Sequence, residues 1–174
     1  MNTVVSRKRR WPGAGMLMWM LVVFGGHLHA QTDYAVGAGF RVGPSNGITL
    51  KASAGGVGAF EAVIHSRFSG LYLCGLYEIH QAAFRAENIN FYYGIGGHVG
   101  AWDGVKRYRS PAADDAAVSV GIDGIVGLEA TFRTIPFAVS LDWKPLVHVY
   151  QTTEFWVDEI GFSVRYIIKR RRTL

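Results

Sequence analysis

Cysteine, proline and long apolar stretches are scarce in this chain, and each scarcity excludes something. Cys74 is the single cysteine, so no disulfide can form within the chain and no thiolate cluster can hold a metal. Five prolines among 174 residues leave most of the sequence free to pair as extended strands. After Phe24 no stretch stays apolar and uncharged for the roughly 18 residues that mark a membrane-spanning helix. Positive charge is scarce over the body of the chain. Of the formal net charge of +5, four cations (Arg7, Lys8, Arg9 and Arg10) lie near the start and four (Lys169, Arg170, Arg171 and Arg172) near the end. The residues between them carry about −3, which excludes a basic face for nucleic acid.

What is present begins with a signal. Residues 1–30 read as a signal peptide, with Arg7 to Arg10 as its positive region, the apolar run Met16 to Phe24, and Ala30 at the cleavage point. The run is too short to span a membrane as a helix. The barrel domain is expected over 31–168, followed by a basic tail at 169–174.

The mature region alternates with period two, as strands with two different faces do. In the first segment Tyr34, Val36, Ala38, Phe40 and Val42 share one parity, and Gly37, Gly39 and Arg41 the other. Gly43 to Gly47 is a turn signal. Ile48, Leu50 and Ala52 then oppose Thr49, Lys51 and Ser53, and Phe60, Ala62, Ile64 and Phe68 oppose Glu61, His65 and Arg67. Further on, Leu71, Leu73, Tyr77 and Ile79 oppose Tyr72, Cys74, Glu78 and His80, while Phe91, Tyr93, Ile95 and Val99 oppose Tyr92, Gly94, Gly96 and His98. Val118 to Phe132 puts Asp123, Gly127 and Glu129 on its polar face, with Ile125 as a misfit. Phe137, Val139, Leu141 and Trp143 oppose Ser140, Asp142 and Lys144, and Ile160, Phe162, Val164, Tyr166 and Ile168 oppose Glu159, Ser163 and Arg165. Long connections are expected at Trp102 to Ala117 and at Pro145 to Asp158.

Eight two-faced strands predict an all-β, antiparallel, eight-stranded transmembrane-type barrel, apolar outward to lipid and polar inward. Aromatics near the strand ends, including Tyr34, Phe40, Phe68, Tyr77, Phe91, Phe132, Phe137, Trp143 and Tyr166, fit interfacial girdles. The inward set supplies a lumen charge network of Arg41, Lys51, Glu61, Arg67, Glu78, Asp123, Glu129, Asp142, Lys144 and Arg165. An eight-stranded lumen is just wide enough for side chains to fill, so near-balanced charges predict a plugged barrel. The inward glycines leave room for the long side chains.

The segments Gly75-Leu76-Tyr77-Glu78, Tyr92 to His98, Gly121 to Glu129 and Ser140 to Pro145 resemble the small outer-membrane β-barrel proteins of Gram-negative bacteria, and more narrowly uncharacterised barrels of Bacteroidetes-type genomes. The resemblance implies an outer-membrane location, with outer-membrane lipid, lipopolysaccharide and the barrel-assembly machinery as partners. One departure stands out: such barrels usually end on an aromatic residue, whereas Tyr166 is followed here by Ile167, Ile168 and the basic tail.

Catalysis has little to stand on. Ser140 with Asp142, and His65 with Glu61, lie on the inward parity, where a lipid-facing enzyme would not place its nucleophile. His65, His80 and His98 fall on different strands and read as members of a polar network rather than as metal ligands. Asp103, Lys106, Arg107, Tyr108, Arg109, Asp114 and Asp115 form a charged loop. The expected role is structural or interaction-type and non-enzymatic, with no cofactor and no nucleic acid. The alternatives are a soluble periplasmic barrel that binds a small apolar ligand and a lipid-A-modifying barrel enzyme.

Overall fold

The computed structural model describes residues 34–67, 70–84, 86, 88–102, 117–150 and 154–170. The expected signal peptide, Phe68, the charged loop from Asp103 to Asp115 and residues 171–174 of the expected tail lie outside the described residues. The strands are β1 Tyr34–Val42, β2 Asn46–Gly55, β3 Gly58–Arg67, β4 Gly70–Ala82, β5 Ile89–Trp102, β6 Ala117–Thr131, β7 Phe137–Trp143, β8 Leu146–His148, β9 Glu154–Trp156 and β10 Ile160–Arg170. Eight of these, β1 to β7 and β10, form a closed antiparallel barrel. Each pairs with the next along the chain, β10 pairs with β7, and β1 closes the ring against β10. The expected fold class is the observed one.

β8 and β9 occupy the stretch expected to be a long loop, and the register explains why. Val126 faces Trp143, the Gly124 amide donates to the Pro145 carbonyl at 2.8 Å, and Asp123 faces Leu146. All three pairings keep one register along β6. β7 and β8 are therefore a single wall strand, interrupted at Pro145, which has no N–H to donate. On the partner side the pairing slips by one residue across Val157–Glu159, because Trp143 faces Ile160 whereas Leu146 faces Trp156. That slip is a bulge. Proline and bulge together hide the strand continuation from a reading that expects unbroken alternation.

Alternation sorts the side chains inside out relative to a soluble protein. Lys51, Lys144 and Arg165 are fully buried and Arg41 nearly so, while Phe40 is 71% exposed and Ile95 65% exposed. Tyr34 departs from its expected outward place and is fully buried. The register with β10 shifts between Tyr34 and Gly37, and one extra residue in a strand moves every side chain beyond it to the opposite face.

Glycine makes the crowded interior possible. Lys51 pairs directly with Gly37, Glu78 with Gly94, Tyr72 with Gly100, Tyr92 with Gly127, His98 with Gly121, and Arg165 with Gly39. Beside many large inward side chains one of the two neighbouring strands contributes none. A Cβ at Gly39 would run into the Val164 carbonyl and the Arg165 backbone, whereas one at Gly75 would meet nothing within 4 Å. Gly39→Ala is expected to cost about 1–3 kcal/mol of folding stability, the usual penalty of overpacking, and Gly75→Ala close to none. Urea unfolding of the two variants in detergent micelles checks this, and equal losses would contradict the assigned faces.

Candidate functional site: a charge-paired lumen

Removing a charge from water is costly unless it gains a partner and hydrogen bonds, so the buried ions of this barrel must be matched one against another. The ten residues expected in the network are all buried. They form three groups stacked along the lumen.

The group nearest the chain ends is built on Lys51 and Arg165. Lys51 Nζ lies 2.8 Å from Glu78, 3.2 Å from Glu61 and 3.5 Å from Glu129. Lys51 and Glu61 are direct cross-strand partners. Arg165 pairs closely with Glu61, reaches Glu129 at 3.1 Å and donates to Ser140 at 2.8 Å. The Tyr34 hydroxyl donates to Glu129 at 2.9 Å, Thr49 donates to Glu61, and His80 Nε2 lies 3.0 Å from Glu78. Three carboxylates thus surround two cations, with hydroxyl and imidazole donors supplementing the positive side. The Tyr92 ring lies 4.1 Å from Lys51 Nζ and caps the group.

In the middle, Arg41 Nη1 donates to Asp142 at 2.8 Å while Nη2 makes an ion contact with the other carboxylate oxygen at 2.6 Å, and the Tyr92 hydroxyl donates to the same carboxylate at 2.9 Å. Beside it sits a small apolar patch of Val63, Cys74, Leu76, Tyr92 and Ile125. Ile125, out of place in the polar pattern, has its neighbours there.

The third group fills the end that carries the β8–β9 hairpin. Lys144 Nζ lies 3.1 Å from Asp123, and His98 Nδ1 is 2.7 Å from the other oxygen of that carboxylate. His98 Nε2 lies 3.0 Å from His148 Nδ1, which also meets the Ser119 hydroxyl. Arg67 pairs closely with Glu159 and reaches Asp158 at 2.8 Å, while Ser45 donates to Glu159 at 2.6 Å. Aromatic rings close the layer: Trp156 packs 4.5 Å from His148 and 5.8 Å from Tyr72, with the Arg67 guanidinium 4.6 Å over it. His65 stacks on Tyr72 at 5.2 Å, nearly parallel, with no hydrogen bond to either ring nitrogen.

The expected candidates for chemistry are not brought together as reacting sets. Ser140 is engaged by Arg165 and Asp142 by Arg41. His80 sits with Glu78, apart from the His98–His148 pair. Among the described residues no three His, Cys, Asp or Glu side chains are placed to hold a metal ion. The network also contains Glu159, expected on the inward face, and members missing from the expected set: Tyr34, Ser45, Thr49, Tyr92, Ser119 and His148. His148 shares its parity with Lys144, so continuing the alternation through Pro145 finds it. Ser45 lies in a turn and carries no sequence signal.

Two outcomes follow. Lys51→Met leaves three buried carboxylates facing one cation and is expected to cost about 3–5 kcal/mol, the usual cost of breaking a buried ion pair. Adding Glu78→Gln should restore part of that loss, and a thermodynamic cycle over the single and double variants measures it. At the rim, the hydrogen bond from Arg67 holds the Asp158 carboxyl below its ordinary range. A depressed carboxylate stabilises the fold above its unfolded pKa of about 3.9, and this contribution is lost as pH falls through the lower folded value. Asp158→Asn should therefore flatten the acid limb of the stability profile below about pH 4, read by unfolding at stepped pH.

Compared with known proteins, the chain matches no family model, no curated protein and no solved structure.

Proposed function

We propose that this chain is an integral outer-membrane β-barrel protein with a plugged, charge-paired lumen, and that its role is structural or interaction-type rather than enzymatic. One observation carries the reading, the inversion of burial. Leu71, Ile95, Leu141, Ile160 and Ile168 are each more than half exposed around the barrel, while Arg41, Lys51, Lys144 and Arg165 are buried within it. Apolar walls of that extent are unfavourable in water and favourable against lipid. Exposed Phe91, Phe132, Phe137, Trp143 and Tyr166 supply the rings that sit at headgroup depth.

A soluble ligand-binding barrel would need the opposite arrangement, an apolar lumen and a polar exterior. An enzyme of the serine class needs a base whose second nitrogen is oriented by an acid. Here Ser119 and His98 converge on the same nitrogen of His148, an arrangement suited to a hydrogen-bond network. The role expected at the outer face is contact with lipopolysaccharide or a partner protein, and insertion by the barrel-assembly machinery fits the closed antiparallel wall.

Fractionation tests the reading. The protein should partition with outer membranes, require detergent for release, and show no steady porin-like conductance in planar bilayers. Recovery in the soluble periplasmic fraction without detergent would overturn the membrane assignment, and a stable large conductance would overturn the plugged lumen.

A further inference from the structure

The described cations divide sharply. Arg41, Lys51, Arg67, Lys144 and Arg165 are buried in the lumen, while Arg133, Lys169 and Arg170 are exposed. All three exposed cations lie at one end, where β10 finishes and the turn 132–136 joins β6 to β7. Arg170 is tied to that turn, because its Nη2 donates to the carbonyls of Phe132 and Ile135, at 3.0 Å each. Its charge is therefore held at the rim rather than swinging freely. Among the described side chains the one exposed carboxylate, Asp158, lies at the opposite end. The sequence adds Arg171 and Arg172 directly after Arg170.

This rim also carries exposed aromatic rings. Phe132, Phe137 and Tyr166 are exposed on the outer wall just inside it, and the rings of Phe137 and Tyr166 meet edge to face at 5.6 Å. Rings of this kind settle at headgroup depth, which puts the guanidinium and ammonium groups level with lipid phosphates. Guanidinium forks match phosphate oxygens two at a time.

We propose that Arg133, Lys169 and Arg170 form a binding rim for anionic phospholipid headgroups, of the phosphatidylglycerol class, in the leaflet that meets the chain ends. The proposal rests on the membrane reading above and adds to it a lipid partner and a fixed end for that partner. Local electrostatics favour it: each cation near an anionic surface contributes about 1 kcal/mol, close to a fivefold preference.

The test uses the full mature protein inserted in phosphatidylcholine vesicles that contain trace spin-labelled phosphatidylglycerol or phosphatidylcholine. The fraction of motionally restricted label reports which lipid is held at the wall. Wild type should hold phosphatidylglycerol about fivefold better or more, with the preference falling at high salt. The triple variant Arg133→Gln, Lys169→Gln, Arg170→Gln should lose it, and Asp158→Asn should keep it. The single variant Arg133→Gln, which leaves β10 untouched, should weaken the preference even if the triple variant assembles poorly. Insertion with equal retention of both lipids would overturn the rim while leaving the membrane reading intact. A preference unchanged in Arg133→Gln and in the triple variant would overturn the assigned residues. Selective retention of lipopolysaccharide at this rim, without a phosphatidylglycerol preference, would overturn the assigned partner. Failure to insert in any vesicle would overturn both readings.

Discussion

Every feature of this barrel answers to the cost of placing eleven ionisable side chains out of water. Five cations (Arg41, Lys51, Arg67, Lys144 and Arg165) and six anions (Glu61, Glu78, Asp123, Glu129, Asp142 and Glu159) are buried in it. None of them is tolerable alone in a low-dielectric interior. Each needs an opposite charge within about 3 Å and hydrogen bonds for its remaining atoms. The strand register supplies the first requirement, as where Lys51 sits directly across from Glu61. Hydroxyls and phenols of Thr49, Tyr34, Tyr92, Ser45 and Ser140 supply much of the second.

That requirement reaches the backbone. Arginine and lysine cannot lie across a narrow lumen unless the neighbouring strands make room, and glycine makes it. At Gly161 a Cβ would collide with the Arg41 guanidinium, and at Gly127 with the Asp142 and Tyr92 side chains. The glycine content that would weaken an ordinary strand is here the geometric condition for ion pairing. The two ends then differ in chemistry. One holds the acidic trio around Lys51, and the other is roofed by Trp156, His148 and Tyr72 with Arg67 stacked over the indole.

Much of this was legible in the residues because a strand has only two faces. Once Phe60, Ala62 and Ile64 are placed on one, Glu61, His65 and Arg67 must take the other, and the ten lumen charges follow strand by strand. The misses occur where period two is interrupted. Tyr34 changes face across a bulge whose only sequence trace is a run of small residues. Leu146 and His148 continue the seventh wall strand beyond a proline that reads as a stop. Partner choice was not legible at all. Parity puts Arg165 in the lumen, but closure of the ring and the shear of the sheet decide that it meets Glu61, 104 positions away in sequence, rather than the nearer Asp142.

The wall is not of even height. β1 has 9 residues and β2 has 10, whereas β5 has 14 and β6 has 15, with the β8–β9 hairpin continuing the sheet beside β6. At roughly 3.3 Å per residue and a tilt of about 40°, the two sides differ by on the order of 10 Å along the axis. The tall side stays apolar well up its length, through Val118, Val120 and Phe155. A flat bilayer cannot match both sides at once. In the bilayer setting proposed above, hydrophobic mismatch would lean the barrel axis away from the membrane normal, or thin the lipid against β1 and β2, so that one flank would stand taller than the other.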